Sequence, residues 1–113
     1  MAYRRTRNKY GNVKVEIDGY KFDSKAEARR YGELKLLKVA ELEVHPKYPI
    51  MMRGLKVCDV ILDFEYSDET GMHYEDVKSK GTDTAISRLK RRMVSAAYGI
   101  TVDVIYNEKK PRH

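Results

Sequence analysis

Several stretches of this chain combine apolar alternation with β-forming residues, which is the pattern of strands with one buried face. The strand-like stretches are residues 13–17, 20–22, 55–66, 72–79 and 100–106. Asp18-Gly19 lies between the first two, and this dipeptide is typical of a tight hairpin turn. Residues 44–52 contain two prolines and predict an extended segment that is at best an edge strand.

Two other stretches have apolar residues at helical spacing. The first covers residues 24–40 and begins with Ser24 and Glu27, the spacing of a capping box. The second ends near Tyr98, before Gly99, which is a common residue just after a helix. After the leading hairpin the predicted order is α, β, β, β, α, β, and the predicted fold class is mixed α/β.

Composition adds a limit on size and a biased charge distribution. The chain has 113 residues and a formal net charge of +6, which suits one small domain. We predict a flexible basic arm over residues 1–12, one domain over residues 13–106 and a basic tail over residues 107–113.

The charges fall into three blocks along the chain. Residues 1–30 hold nine Lys or Arg against four Asp or Glu, and residues 78–113 hold nine against three. The block between them, residues 31–77, is acidic, with five against ten. The basic ends favour a polyanionic partner such as a nucleic acid. The acidic centre is compatible with that partner if metal cations lie between the carboxylates and the phosphates. A small basic protein with acidic loops is the alternative explanation.

Two absences exclude further classes. No run of about 18 apolar residues occurs, so no membrane partner is predicted. The single cysteine, Cys58, excludes an intrachain disulfide and favours a reducing, cytoplasmic compartment. One cysteine and three scattered histidines do not form the ligand spacing of a zinc ribbon or a zinc finger, so these classes are also excluded.

The predicted strand over residues 55–66 places Asp63 opposite its apolar face. In the next strand, Asp76 and Lys78 share a face and Glu75 points away. If the two strands pair antiparallel around the SDETG turn, Asp63 and Asp76 lie side by side. Two adjacent carboxylates repel each other unless a cation lies between them.

This arrangement predicts a metal site. The two carboxylates and the main-chain carbonyl of Val77 could hold Mg²⁺, with Mn²⁺ as a substitute. Lys78 would orient or help to deprotonate a water and offset phosphate charge. The alternatives are ordinary acidic residues on a wet strand face and a surface salt bridge between Asp76 and Lys78. Glu27 lies on the buried stripe of its helix and is either a further ligand or a helix cap.

Together these motifs resemble the PD-(D/E)XK nuclease superfamily, which has an αβββαβ core. Asp63 lies in VILDFEY, Asp76-Val77-Lys78 in YEDVKSKG, and Glu27 in FDSKAEARRYGEL. Small phage-encoded nucleases similar to Holliday junction resolvases resemble the chain over residues 8–106. The resemblance implies hydrolysis of DNA phosphodiester bonds with Mg²⁺ at these residues, in the cytoplasm of a bacterial host.

Basic residues in three places are candidates for contacts with DNA phosphates. The second helix is one-sided, with no acidic residue between Arg88 and Arg92. The candidate residues are Arg88, Lys90, Arg91 and Arg92 in the helix, Lys80 and Thr82 before it, and Arg4, Arg5, Arg7 and Lys9 in the arm. A solvated helix face and a disordered tail are the alternatives. The predicted apolar stripe of this helix is Ile86, Leu89, Met93 and Ala96.

We therefore predict a metal-dependent DNA endonuclease whose substrate is branched DNA, since 113 residues leave no room for a separate base-reading domain. A four-way junction has two-fold symmetry, so a homodimer would place two active sites on matched strands. Two alternatives remain. One is a non-catalytic basic DNA-binding module, and the other is a nicking or single-strand nuclease of recombination or packaging.

Overall fold

The computed structural model describes residues 3–7, 13–79 and 83–106. The fold class is mixed α/β, as predicted, with two helices and three small sheets in the described residues. The chain divides into two compact units, residues 1–39 and residues 40–113. Within the described residues, neither helix is long and apolar enough to cross a membrane.

The first unit pairs a three-stranded antiparallel sheet with one helix. Its elements are β1 (Tyr3–Arg7), β2 (Val13–Ile17), β3 (Tyr20–Phe22) and α1 (Lys25–Leu37). Asp18 and Gly19 have φ of 54° and 84°, which confirms the predicted tight turn between β2 and β3. Helix α1 packs on β2 and β3, where Tyr31 contacts the rings of Tyr20 and Phe22.

The prediction of a flexible arm over residues 1–12 is wrong for Tyr3–Arg7, which form strand β1 antiparallel to β2. The segment YRRTR has no apolar alternation, so its sequence contains no strand signal. It pairs because the outer edge of β2 offers unpaired backbone N–H and C=O groups. Residues 8–12 lie outside the described residues.

Helix α1 begins as predicted and ends earlier. Ser24 is its N-cap, with the side chain accepting a hydrogen bond from the Glu27 N–H at 3.2 Å. The predicted end at Ala40 is wrong because Lys38 adopts a left-handed conformation with φ 55°, which stops the helix at Leu37.

The second unit contains a four-stranded sheet, a separate hairpin and one helix. Its elements are β4 (Ala40–Val44), β5 (Lys47–Met52), β6 (Leu55–Ile61), β7 (Phe64–Asp68), β8 (Gly71–Lys78), α2 (Ala85–Tyr98) and β9 (Val102–Tyr106). The strand order in the sheet is β4-β7-β8-β9, and β5 pairs only with β6. Strands β7 and β8 are antiparallel around the predicted turn, and α2 connects β8 to the parallel strand β9.

Two predicted strands are each divided. Residues 55–66 form β6 and β7 with a break at Leu62 and Asp63, and residues 44–52 are interrupted at His45 and Pro46. The two breaks are hydrogen-bonded to each other, His45 N–H to the Asp63 carbonyl at 3.0 Å and Leu62 N–H to the Pro46 carbonyl at 3.1 Å. At these points the chain passes between the hairpin and the four-stranded sheet.

The predicted burial alternation survives the break in residues 55–66. Val60, Leu62, Phe64 and Tyr66 are buried, and Ile61 between them is exposed. A core cluster of the second unit forms where the hairpin, the sheet and α2 meet. Its buried members are Tyr48, Ile50, Val60, Leu62 and Val94, and Cys58 packs against them as predicted.

Helix α2 has its predicted ends, and of its predicted buried stripe Met93 packs against the core while Ile86, Leu89 and Ala96 do not. Thr84 is its N-cap and Gly99, with φ 66°, follows its last turn. Ile86 and Leu89, predicted to be buried, are 62% and 49% exposed, whereas Val94 is fully buried. The sequence pattern does not reveal which side of α2 is buried, because contact with the β5–β6 hairpin selects that side. Helical spacing by itself does not distinguish the Ile and Leu residues that are buried from those that are exposed.

Candidate metal centre

Asp63 lies at the break between β6 and β7, where β7 begins its pairing with β8. Its backbone N–H donates to the Glu75 carbonyl at 3.1 Å, and its carboxylate accepts the Val77 N–H at 2.6 Å. The side chain of Asp63 is therefore directed along β8 and held there by the backbone of that strand.

Asp76 lies beside Asp63, as the antiparallel pairing predicts. Phe64 is the register partner of Glu75, and the next pair outward in this register is Asp63 with Asp76. The Asp76 residue is only 8% exposed. Burial, followed by the hydrogen bond and charge of Asp63, raises the pKa of Asp76 to about 6.

Two cations oppose this rise by pairing with Asp76. The Lys78 Nζ lies 3.5 Å from Asp76 Oδ2, which confirms that these side chains share a face of β8. Lys78 also donates to the Ser87 hydroxyl at 3.3 Å. A guanidinium nitrogen of Arg91 lies 3.3 Å from the same Asp76 oxygen, and its other end pairs with Asp83 at 2.8 Å.

Glu75 faces away from this group, as strand parity predicts. It is 2% exposed and accepts a hydrogen bond from the Tyr66 hydroxyl at 2.6 Å. Glu75 therefore has a structural partner on the opposite face, and Asp76 is the acidic residue that shares a site with Asp63.

The sequence predicts that the Val77 carbonyl is a metal ligand. The contact that the structure shows at Val77 is made by its N–H group, which donates to the Asp63 carboxylate. That N–H binds Asp63, which fixes the backbone of Val77 beside the carboxylates. The carbonyl as a metal ligand stays a prediction.

Glu27 acts as a helix cap in the first unit. One carboxylate oxygen accepts the Asp23 N–H at 2.9 Å, and the Glu27 N–H binds Ser24. Glu27 is 6% exposed. The capping alternative is thus observed, and the role of Glu27 as a metal ligand stays a prediction.

The basic residues of α2 divide into two groups. Arg88, Lys90 and Arg92 are exposed, and Arg88 also donates to the Asp83 carbonyl at 2.7 Å. The Arg91 side chain is 12% exposed and is directed to Asp76 and Asp83 instead of solvent. Lys80, Thr82 and Lys9 lie outside the described residues, as do the side chains of Arg4, Arg5 and Arg7.

The sequence does not predict the place of two residues in this site. Arg91 was placed on the basic face of α2, because helical spacing alone does not reveal that its guanidinium reaches β8. The sequence around His45 contains no motif that points to a metal site. In the structure, a ring nitrogen of His45 and a carboxylate oxygen of Asp63 lie within 4.8 Å of each other. Only the hydrogen bonds between the two strand breaks bring them together.

The donor set of this site fits a divalent cation. Two neighbouring carboxylates, one of them buried with a raised pKa, are a cost that a cation relieves. Their oxygens are the hard ligands that Mg²⁺ and Mn²⁺ prefer. The residues that would hold the ion are Asp63 and Asp76.

The fold and the site describe a mixed α/β protein with a paired-carboxylate centre next to lysine and arginine. The family model described as "Protein of unknown function (DUF1064)" matches residues 7–110. The chain therefore belongs to this family. No curated protein and no solved structure matches it.

Proposed function

We propose that the protein is a Mg²⁺-dependent DNA endonuclease of the PD-(D/E)XK type. The observation that carries the proposal is the Asp63–Asp76 pair with Lys78 on the same face of β8. An acidic residue on one strand and an Asp-x-Lys motif on the next form the motif on which the resemblance to the nuclease superfamily rests. A structural salt bridge between Asp76 and Lys78 alone would not place a second carboxylate beside Asp76.

The element order supports the same proposal. The two helices and the four strands of the β4-β7-β8-β9 sheet follow one another along the chain in the order α1, β4, β7, β8, α2, β9. This order is αβββαβ, with the β5–β6 hairpin inserted between the first and second sheet strands. The predicted core order is therefore present in the chain, with two strands added to it.

Each residue of the site has a role in phosphodiester hydrolysis. Mg²⁺, when bound, would supply a Lewis acid that polarises the phosphate and lowers the pKa of a water. Lys78 holds a proton at its Nζ beside Asp76 and would orient the attacking water or offset negative charge on phosphate. Arg91 holds the Asp76 carboxylate in place from α2.

The proposed partner is DNA, bound through the exposed side chains of Arg88, Lys90 and Arg92. Arg4, Arg5, Arg7, Lys9, Lys80 and Thr82 are proposed as further contacts. We propose branched DNA as the substrate, a homodimer as the active form and the cytoplasm of a bacterial host as the location. All of these extend the resemblance and the basic charge of the chain.

A specific observation favours a second candidate, a non-catalytic DNA-binding module. Asp76 already has two cationic partners, Lys78 and Arg91, which offset part of its charge without a metal ion. In that case the acidic pair would be structural. DNA would bind, and no divalent cation would produce cleavage.

The experiment compares neighbouring residues of β8. Asp63→Asn, Asp76→Asn and Lys78→Met should each lower the rate of cleavage of a four-way junction in Mg²⁺ by about 10²-fold or more, which is the scale of a lost catalytic group. Glu75→Gln is the matched control, because glutamine can still accept the Tyr66 hydrogen bond. Binding of the junction in Ca²⁺ should be retained in all four variants.

The outcomes separate the two candidates. Equal loss of activity in Glu75→Gln and Asp76→Asn would contradict the assignment of Asp76. Absence of cleavage by the folded wild type in Mg²⁺ or Mn²⁺, with junction binding intact, would favour the binding module. Glu27→Gln keeps an acceptor for the helix cap, so a loss of metal affinity in this variant would support Glu27 as a ligand.

A further inference from the structure

His45 occupies an unusual position at the end of β4. Its φ is 56°, in the left-handed region that residues with a side chain seldom adopt. Backbone strain of this kind persists where the surrounding structure holds it, and it concentrates at functional sites. Pro46 follows, and the chain then enters β5.

The strained segment is held against the acidic pair by hydrogen bonds. The His45 N–H donates to the Asp63 carbonyl at 3.0 Å, and the Leu62 N–H donates to the Pro46 carbonyl at 3.1 Å. Asp63 is bonded on its other side to the Glu75 carbonyl at 3.1 Å. The backbones of His45, Asp63 and β8 therefore form one connected unit.

This arrangement places an imidazole next to the Asp63 carboxylate. A ring nitrogen of His45 and a carboxylate oxygen of Asp63 lie within 4.8 Å of each other. Two donors on one ion, each about 2.1 Å away, are separated by at most about 4.2 Å. The two donor atoms would therefore have to approach each other by at most about 0.6 Å to share one ion.

We propose that His45 is a nitrogen ligand of the metal centre at Asp63, and that the centre therefore prefers Mn²⁺ over Mg²⁺. Imidazole binds first-row transition ions, whereas Mg²⁺ takes oxygen ligands almost exclusively. Mn²⁺ accepts both carboxylate and imidazole donors. The inference rests on the proposed function for the two carboxylates and adds a ligand and a metal preference.

The test uses the full-length protein without DNA. Mn²⁺ is bound to the protein, and pulsed electron paramagnetic resonance measures the coupling of the ion to directly coordinated ¹⁴N. The wild type should show imidazole coupling, and His45→Asn should lose it, since asparagine tolerates the left-handed backbone. Mn²⁺ affinity should fall in His45→Asn on the order of tenfold or more, and Mg²⁺ affinity much less.

The chain offers a matched control because it contains only three histidines. The double variant His73→Gln with His113→Gln leaves His45 as the single imidazole and should retain the coupling. His73 lies near the start of β8, where it pairs with Asp68, so its loss leaves the metal ligands in place. Replacing ¹⁴N by ¹⁵N histidine in the wild type should change the coupling, which keeps the test valid even if His45→Asn fails to fold.

The results distinguish this inference from the proposed function. Mn²⁺ bound without ¹⁴N coupling, or coupling that persists in folded His45→Asn, would overturn the role of His45. Junction cleavage in Mg²⁺ without any ¹⁴N coupling would leave the nuclease proposal standing and remove His45. Coupling without cleavage would support His45 and remove the nuclease proposal. A wild type that binds no Mn²⁺ would overturn both.

Discussion

At the scale of single residues, the surroundings of Asp76 disfavour the charged form of its carboxyl group. The carboxyl is buried beside Asp63, and its pKa is raised to about 6 even though Lys78 and Arg91 lie next to it. The two cations therefore do not fully compensate burial and the neighbouring carboxylate. A divalent ion held by the two carboxylates, as proposed, would relieve this remaining cost.

This shift predicts a pH dependence of stability in the metal-free protein. The pKa of Asp76 in the folded protein, about 6, exceeds its ordinary value of 3.8, so the folded state binds the proton more tightly. The free energy of unfolding should therefore fall as pH rises from about 4 to about 6, by at most about 3 kcal/mol. Thermal denaturation in EDTA at a series of pH values measures this change.

Asp76→Asn isolates the effect, since asparagine does not titrate. Relative to wild type, the variant should become more stable as pH rises through the same window, and addition of Mg²⁺ should stabilise wild type more than the variant. A stability difference that stays constant from pH 4 to pH 7 would show that Asp76 is not under this strain.

At the scale of elements, the basic side chains of α2 point in two directions. Arg92 and Lys90 face solvent, where phosphate contacts are available. Arg91, next to Arg92 in sequence, is directed inward to Asp76 and Asp83. Adjacent arginines on one helix thus provide a matched pair for experiment.

We predict different effects from Arg91→Gln and Arg92→Gln. Arg92→Gln should flatten the log–log salt dependence of DNA binding by up to about 0.9, because one phosphate contact is lost. Arg91→Gln should leave that slope unchanged and lower the unfolding free energy in EDTA by about 1–3 kcal/mol, because Asp76 and Asp83 lose a charged hydrogen-bond partner. DNA-binding titrations over a range of salt concentrations and thermal denaturation provide the two measurements.

The reverse pattern would reassign the DNA-binding surface. If Arg91→Gln flattens the salt slope and Arg92→Gln does not, the DNA passes over the acidic pair and not along the exposed side of α2. If neither variant changes the slope, the phosphate contacts lie elsewhere in the chain.

At the scale of the whole molecule, charge and symmetry determine the proposed substrate. The chain carries a formal net charge of +6 with an acidic centre between basic ends. If DNA is the partner, as proposed, such a distribution would attract it without reading its sequence, and selectivity would have to come from the shape of the DNA. A two-fold homodimer matches the symmetry of a four-way junction.

We predict that the protein is a dimer and that it binds junctions in preference to linear DNA. Light scattering should give twice the chain mass of 13.2 kDa at micromolar concentration. In Ca²⁺, a four-way junction should bind on the order of tenfold or more tightly than a linear duplex of equal length at the same salt concentration, since both subunits engage one molecule. A monomer with equal affinity for the two substrates would contradict the prediction.

Local sequence signals predicted most elements because each depends on neighbouring residues. Asp18-Gly19 specifies its turn through two positive φ angles, and Ser24 caps α1 through a hydrogen bond three residues away. Strand parity separated Asp76 from Glu75 because successive side chains of a strand alternate between faces. These are properties of a few consecutive residues, and tertiary packing left them unchanged.

The sequence by itself therefore determined the fold class, the α1 cap, the β7–β8 pairing and the group Asp63, Asp76 and Lys78. Only the tertiary structure decided three further features. It divided the run over residues 55–66, turned Arg91 from solvent towards Asp76, and brought His45 to Asp63. The physical reason is the same in each case, since these features depend on hydrogen bonds and packing between segments far apart in the chain, which no local periodicity records.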